Sequence, residues 1–264
     1  MEPSGKSTFV LSLLRLLDPR SGSITVDGTD ISEIARSVVR QKCFISVPQD
    51  PFLLPDATLR FNVDPNEHYR DEEITAALEK TRLWDQFSQC GMNGHHPLPT
   101  GDRVEDQVNT SAISHILDSP LSSLPQLSTG EQQLLSLARA VLRAQPPSFP
   151  NTIPYTDHIP TPAIIKPILL LDEATSSLDE ETEAMIYDII QQEFTDKGHT
   201  VIAISHRLGA LKKGWKSGRD VLVRMVDGRV MEIGDLSDVL GRGVVGEDAL
   251  KDSAVGGSEA VDRH

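Results

Sequence analysis

The sequence is poor in cysteine, aromatic residues and basic charge, and it lacks long hydrophobic runs. Its two cysteines are too few for a disulfide scaffold, and their spacing matches no metal-binding motif. Acidic residues number 39 against 25 basic ones, and the resulting formal net charge of −14 disfavours a nucleic-acid partner. All apolar stretches stay below the ~18 residues of a membrane helix. We therefore expect a chain that does not itself span a membrane, carries no secretory signal and works in a reducing compartment.

Short apolar runs along the 264 residues indicate the strands, and amphipathic segments indicate helices. The runs 168–171 and 200–204 are uninterrupted, and they predict parallel strands covered on both faces. The run 43–47 predicts another buried strand, in which Cys43 is a small core residue. A strand hairpin is expected around Asp227-Gly228.

Helices are expected in four further places, and Asp27-Gly28 predicts a turn before the second of them. Residues 9–17 are apolar on nearly all sides and predict a buried helix. Of the other three predicted helices, one starts at an N-cap at Asp71 and one spans 132–144 after a Ser128/Glu131 capping box. The last spans 179–194.

The residues Gly5, Lys6, Ser7 and Thr8 open the first of these helices. The free N–H groups and the dipole of a helix N-terminus favour an anion, Lys6 can reach terminal phosphates, and Ser7 can hold Mg²⁺. The pattern is short, and it also occurs at ordinary helix starts. Taken alone, it leaves a phosphate site and a plain helix start equally open.

Asp172 and Glu173 follow directly after the apolar run 168–171. Open α/β sheets bind ligands at the carboxyl ends of their parallel strands. At such an edge Asp172 can order Mg²⁺ through water, and Glu173 can activate an attacking water as general base. A solvated strand end is the alternative for one acidic pair. The segments 177–179 and 205–206 that follow favour the functional interpretation.

In their order along the chain, these segments resemble the nucleotide-binding domains of ATP-binding cassette (ABC) transporters, over about residues 3–240. Each matching segment carries one motif of that family: a Walker A motif truncated at its start (Gly5-Lys6-Ser7-Thr8), a Q-loop (Pro48-Gln49-Asp50), a signature (127–134, with Ser128, Thr129, Gly130 and Glu131), a Walker B motif (168–172), a catalytic Glu173, a D-loop (177–179, with Asp179) and an H-loop (His206). The segments 49–51, 58–65 and 71–74 most resemble the second cassette of subfamily C, the multidrug-resistance-associated type.

The resemblance implies a role for each site residue. The Walker A residues 5–8 would hold the phosphates of ATP, and Ser7, Gln49 and Asp172 would hold Mg²⁺. Glu173 would activate water, His206 would contact the γ-phosphate, and Gln49 belongs with them to the catalytic set. The signature would face ATP bound by an opposing cassette, so that two nucleotide-binding domains sandwich ATP head to tail.

The implied fold is α/β, with a RecA-like P-loop NTPase core and a mostly parallel sheet built from 1–51 and 168–242. A helical signature subdomain is inserted at about 52–144, and a Pro-rich insertion follows at 145–167. The small, acidic segment 243–264 is expected to be disordered. The implied function is ATP hydrolysis that powers transmembrane transport, at the cytoplasmic face of a membrane and together with transmembrane domains.

Departures from the family pattern keep alternatives open. The sequence begins inside Walker A, without the family's preceding strand and adenine-stacking aromatic, and Pro3 stands where the family has Gly. A remnant that binds nucleotide poorly and acts only as an interaction module is therefore the alternative function. Glu131 replaces the commoner Gln, which places a carboxylate near a partner's phosphate and also completes a capping box. The 145–167 insertion is either a surface loop or a gene-model artefact.

A third class of function is a soluble cassette ATPase of DNA repair or translation. Such proteins are expected to carry long coiled coils or basic surfaces, and the sequence predicts neither.

Overall fold

The computed structural model describes residues 5–93, 113–149, 166–205 and 215–241. The chain divides into two compact units, one over Ser7–Ile204 and one formed by Met1–Lys6 with Ser205–His264. Some of the sequence predictions lie outside the described residues; these are Pro3, His206, most of the Pro-rich insertion and the acidic tail 243–264. The predicted domain bounds stay a prediction.

Seven strands form three sheets among the described residues. They are β1 Thr25–Val26, β2 Thr29–Asp30, β3 Phe44–Val47, β4 Ile168–Asp172, β5 Val201–Ile204, β6 Leu222–Val226 and β7 Arg229–Gly234. The predicted buried runs became β3, β4 and β5, which form a parallel sheet in that order. Its register pairs Val47 with Leu171 and Asp172 with Ile204.

The two antiparallel pairs, β1-β2 and β6-β7, turn at the predicted Asp-Gly positions. All four turn residues have positive φ, between 49° and 79°. Two successive residues with positive φ match the twist of the strands on either side, and Asp and Gly tolerate that conformation well. Both turn predictions are confirmed.

The helices are α1 Lys6–Leu13, α2 Arg36–Val38, α3 Leu59–Val63, α4 Asp71–Lys80, α5 Trp84–Asn93, α6 Thr129–Arg143, α7 Glu180–Ile190 and α8 Leu236–Gly241. Residues 113–117 are also helical. The π-helical turns Val39–Cys43 and Gln191–Thr195 extend α2 and α7, and Ile31–Glu33 and Leu121–Ser123 form 3₁₀ turns. Across the described ranges, no helix combines the length and apolar character needed to cross a membrane.

Side chains of the parallel sheet alternate between two hydrophobic clusters, as the period of two in a strand requires. Phe44 and Leu170 pack with Val10 and Leu13 of α1 on one face. Ile45 and Val47 of β3 and Leu169 and Leu171 of β4 belong to a larger cluster on the other face, with side chains from α3, α4, α6 and α7. Cys43 is fully buried, as predicted, and desolvation raises the pKa of its thiol. The sheet is thus covered on both faces.

Two helix predictions are wrong in detail. Helix α1 ends at Leu13, and Phe9 on its surface is 41% exposed, because its described contacts cover only the face that carries Val10 and Leu13. Helix α4 has Arg70, not Asp71, as its N-cap, and the Glu73 carboxylate accepts from the Arg70 backbone N–H at 2.8 Å.

The carboxylate of Asp71 is used elsewhere, because it accepts from the Arg60 guanidinium and from the Ser114 hydroxyl. Arg60 also donates to Asp118, so one cation joins α3 and α4 with the end of the helical residues 113–117. The hydrogen bond from Arg60, and more weakly that from Ser114, holds the pKa of Asp71 below its usual range.

A depressed pKa in the folded state stabilises the fold above the carboxyl's unfolded pKa, and this stabilisation is lost as the pH falls through the folded pKa. We therefore expect Asp71→Asn to lower the free energy of unfolding by about 1 kcal/mol at pH 7. The same variant should lose stability less steeply than the parent chain between pH 5 and pH 3. Urea unfolding at several pH values measures both effects, with the exposed neighbour Glu72→Gln as control. Identical pH slopes in parent and Asp71→Asn would contradict the role of the pair.

Candidate functional site

The parallel sheet gathers three predicted site segments at one edge. Gln49 lies two residues beyond the end of β3, Glu173 follows the last residue of β4, and Asp172 is that last residue. Because β4 lies between β3 and β5, its acidic pair occupies the centre of the edge. Carboxyl ends of parallel strands are where open α/β sheets place ligands.

The backbone at Glu173 is strained and firmly held. Its φ is 51°, in the left-handed region that a residue with a side chain seldom adopts. Its N–H donates to the Ile204 carbonyl of β5 at 3.0 Å, and its carbonyl accepts from Ser176 N–H at 3.0 Å. A residue held in such a conformation by its surroundings is a recognised mark of functional sites. The strand ladder thus turns Glu173 out of the line of β4.

The D-loop residue Asp179 caps α7. Its carboxylate accepts from the backbone N–H groups of Glu181 and Thr182 at 3.1 and 2.9 Å, and from the Thr182 hydroxyl at 2.8 Å. These hydrogen bonds, those from Thr182 foremost, lower the pKa of Asp179. The carboxylate is therefore ionised at neutral pH and fixed on its own helix.

The signature residues begin α6 through the predicted capping box. Glu131 N–H donates to the Ser128 hydroxyl at 3.3 Å, and the Glu131 carboxylate accepts from Ser128 N–H at 2.7 Å. This backbone hydrogen bond is the main reason why the pKa of Glu131 is lowered. In the single chain the Glu131 carboxylate therefore accepts a hydrogen bond from the backbone at the start of its own helix. Its effect on a partner's phosphate stays a prediction.

The signature approaches the helix that follows the D-loop. A Cβ at Gly130 would lie 2.9 Å from Cγ2 of Thr182, the residue that Asp179 holds. Only glycine fits this approach without a shift of Thr182. The structure therefore brings the signature and the D-loop helix into contact, and Thr182, which sequence analysis missed, is the residue between them.

The Walker A residues form the start of α1, with Lys6 as its first helical residue and Ser7 and Thr8 exposed in its first turn. Gly5 has a φ of 84°, and a Cβ there would lie 2.7 Å from Cα of Gly228 in the β6-β7 turn. Both the conformation and the space require glycine at this position. α1 packs on one face of the parallel sheet through Val10 and Leu13.

The described residues provide no ready-made metal cage, since none of them form a group of three or more His, Cys, Asp or Glu side chains suited to a metal ion. The predicted ligands Ser7, Gln49 and Asp172 offer a hydroxyl, an amide and a carboxylate oxygen. Mg²⁺ is commonly bound by one or two such groups together with substrate phosphates. The donor set therefore fits a magnesium ion that is shared with a nucleotide.

Comparison with known proteins decides the family. Residues 2–147 match the family described as ABC transporter. The chain belongs to the ABC transporter family. ATP binding and hydrolysis are the general activity of this family, and the predicted RecA-like α/β fold with a parallel sheet is confirmed.

Several relatives have transporter names. The chain is 35% identical over 240 residues to ABC transporter FGM5 of Gibberella zeae, covering 89% of this chain and 13% of the relative. It is 32% identical to Bile pigment transporter 1 of Saccharomyces cerevisiae, covering 90% and 13%. It is 35% identical to ABC transporter C family member 5 of Arabidopsis thaliana, covering 87% and 12%. The predicted likeness to subfamily C is thereby confirmed. The chain spans about an eighth of the length of these relatives.

A solved structure shares the fold. A bacterial Atm1-family ABC exporter with ATP bound matches with a TM-score of 0.65 and 26% sequence identity, over 98% of this chain and 36% of that chain.

Capping of the signature helix can be tested in this ABC chain without nucleotide. Ser128→Ala removes the side-chain acceptor for Glu131 N–H, so we expect a loss of about 1 kcal/mol in the free energy of unfolding, within the 0.5–2 range of N-cap replacements. Thr129→Ala, one residue further on and exposed, should change it by less than about 0.5 kcal/mol. Urea unfolding followed by circular dichroism measures both. Equal stabilities of the two variants would contradict the capping role.

Proposed function

We propose that the chain is the ATP-binding and ATP-hydrolysing cassette of an ABC transporter, acting at the cytoplasmic face of a membrane. The observation that supports this most strongly is the strand register, which pairs Val47 at the end of β3 with Leu171 of β4, so that Gln49 and the acidic pair Asp172 and Glu173 follow at the same edge. The family match and the transporter names of the relatives support it independently.

In this proposal the residues divide the work. Lys6, Ser7 and Thr8 bind phosphate at the start of α1, where free N–H groups and the helix dipole favour negative charge. Asp172 and Gln49 supply oxygen ligands for Mg²⁺, which when bound offsets the phosphate charge. Glu173, turned out of β4 by its left-handed backbone, accepts a proton from the attacking water. His206 completes the set by contacting the γ-phosphate.

A second nucleotide-binding domain is the proposed partner at the signature. Ser128, Thr129, Gly130 and Glu131 lie at the N-terminus of α6. The backbone N–H groups of Thr129 and Gly130 and the hydroxyls of Ser128 and Thr129 suit a phosphate of the partner's ATP. The contact of Gly130 with Thr182 supports a common surface for the signature and the D-loop residue Asp179.

Transmembrane domains are the other proposed partner. In the described residues 50–61, just after Gln49, Phe52 is 71% and Phe61 45% exposed, and Leu54 is also exposed. Aromatic residues are enriched in the cores of protein interfaces. These exposed apolar side chains support docking of a membrane domain beside the Q-loop.

The assignment of Glu173 as general base is the main test. Glu173→Gln keeps the size of the side chain and removes its basicity, so binding of a fluorescent ATP analogue should be retained. ATP turnover should fall by about 10²–10⁴-fold, the usual contribution of a positioned base. Phosphate release and equilibrium fluorescence measure the two quantities, with exposed Glu181→Gln on α7 as control.

Turnover by Glu173→Gln within a few fold of the parent chain would contradict the catalytic role. Absence of nucleotide binding by the parent chain itself would instead favour the alternative, an interaction module without ATPase activity.

A further inference from the structure

The Q-loop belongs to an irregular segment whose backbone depends on side chains for its hydrogen bonds. Residues 48–57, between β3 and α3, contain neither helix nor strand. Backbone carbonyls in such a segment need donors from outside regular structure. Several of these donors come from α6, the helix that begins with the signature.

Gln133 provides the contact nearest to the site. Its side-chain amide donates to the Pro48 carbonyl at 3.1 Å and also to the Gln49 carbonyl. The residue is only 1% exposed, so water does not compete for these hydrogen bonds. The two carbonyls also fix the orientation of the amide, because the reversed orientation would set its oxygen against two other oxygens.

Arg139, six residues further along α6, contacts the segment at Phe52 and also contacts the following helix α3. Its guanidinium donates to the Asn62 carbonyl at 2.9 Å and to the Phe52 carbonyl at 3.3 Å. The Asn62 side chain in turn accepts from Leu54 N–H and donates to the Leu54 carbonyl, at 2.8 and 2.9 Å. The segment is thus fixed to α6 at two places, and Gln133 holds the end that carries Gln49.

The amide of Gln133 is only half satisfied by its surroundings. The Oε1 atom of Gln133 is buried, and within the described part of the chain it has no hydrogen-bond partner. A buried acceptor without a partner is costly, and the hydrogen bonds that the amide donates to the Pro48 and Gln49 carbonyls are what offset that cost. The described contacts of this amide act on the Q-loop backbone.

We infer that Gln133 is a positioning residue, which ties the Q-loop to the signature helix so that Gln49 and the N-terminus of α6 keep a fixed spacing. This inference rests on the proposed function for its meaning, because Gln49 is the proposed Mg²⁺ ligand. The tie itself is a property of the chain without nucleotide. It joins a motif that faces the chain's own ATP to one that faces a partner's ATP.

The tie can be tested by amide hydrogen exchange of the full chain without nucleotide. Gln133→Met keeps the length of the side chain and removes both donors. Loss of a hydrogen bond of ordinary net strength should speed exchange of the amide hydrogens in residues 49–54, other than Pro51, about two- to tenfold. Gln132→Met is the matched control, because that neighbouring glutamine donates to the Leu127 carbonyl and not to the Q-loop.

Three results of the exchange experiment are decisive. Faster exchange confined to residues 49–54 in Gln133→Met, with an unchanged urea midpoint, supports the inference. Unchanged exchange in that segment overturns it. Faster exchange throughout the chain, β4 included, or failure of the variant to fold, assigns Gln133 a structural role and overturns it as well.

A second measurement separates this inference from the proposed function. Titration of Mg²⁺ against a fluorescent ATP analogue should require about two- to tenfold more Mg²⁺ in Gln133→Met, with unchanged binding of the analogue in EDTA. An identical Mg²⁺ requirement in parent and variant overturns the positioning of Gln49. If the parent chain binds no analogue, the proposed function fails, and the exchange experiment still decides whether the tie exists.

Discussion

The arrangement of the larger unit depends on helix α6. This helix buries its apolar face in the core and donates hydrogen bonds to the irregular backbone around β3. Its leucines and alanines pack against α3, α4, α7 and the sheet in one cluster. Its polar residues Gln133, Arg139 and Arg143 donate to backbone carbonyls before β3, at its first residue and after it. Burial lowers the pKa of both arginines, and the carbonyl contacts compensate part of that desolvation. One helix therefore positions the strand, the Q-loop and the signature together.

The parallel sheet adds a second constraint, because its register determines which side chains meet at the carboxyl edge. Pairing of Val47 with Leu171 brings the end of β3 level with that of β4. The hydrogen bond from Glu173 N–H to Ile204 extends the ladder by one residue beyond Asp172 and holds the left-handed turn. A shift of the β4 register by one residue would move each β4 side chain to the opposite face of the sheet, so the residues before Asp172 would no longer pack in their present clusters.

Much of this was readable in the sequence. Uninterrupted apolar runs predicted β3, β4 and β5, the Asp-Gly pairs predicted both hairpin turns, and Ser128 with Glu131 predicted the start of α6, because each signal is local. The errors arose where distant residues compete. Asp71 was predicted as an N-cap, but Arg60 and Ser114 take its carboxylate. Phe9 was predicted to be buried, but α1 has only one covered face among the described residues.

The sequence by itself determined the family, the parallel strands and the chemical identity of the proposed site residues, since these depend on residue type and order. Only the tertiary structure decided how the motifs are connected. The amide of Gln133 on the Q-loop and the contact of Gly130 with Thr182 join residues 52 to 85 positions apart in the chain. No periodicity encodes such pairs, because a buried glutamine on a helix resembles any other polar residue until its partners are in place.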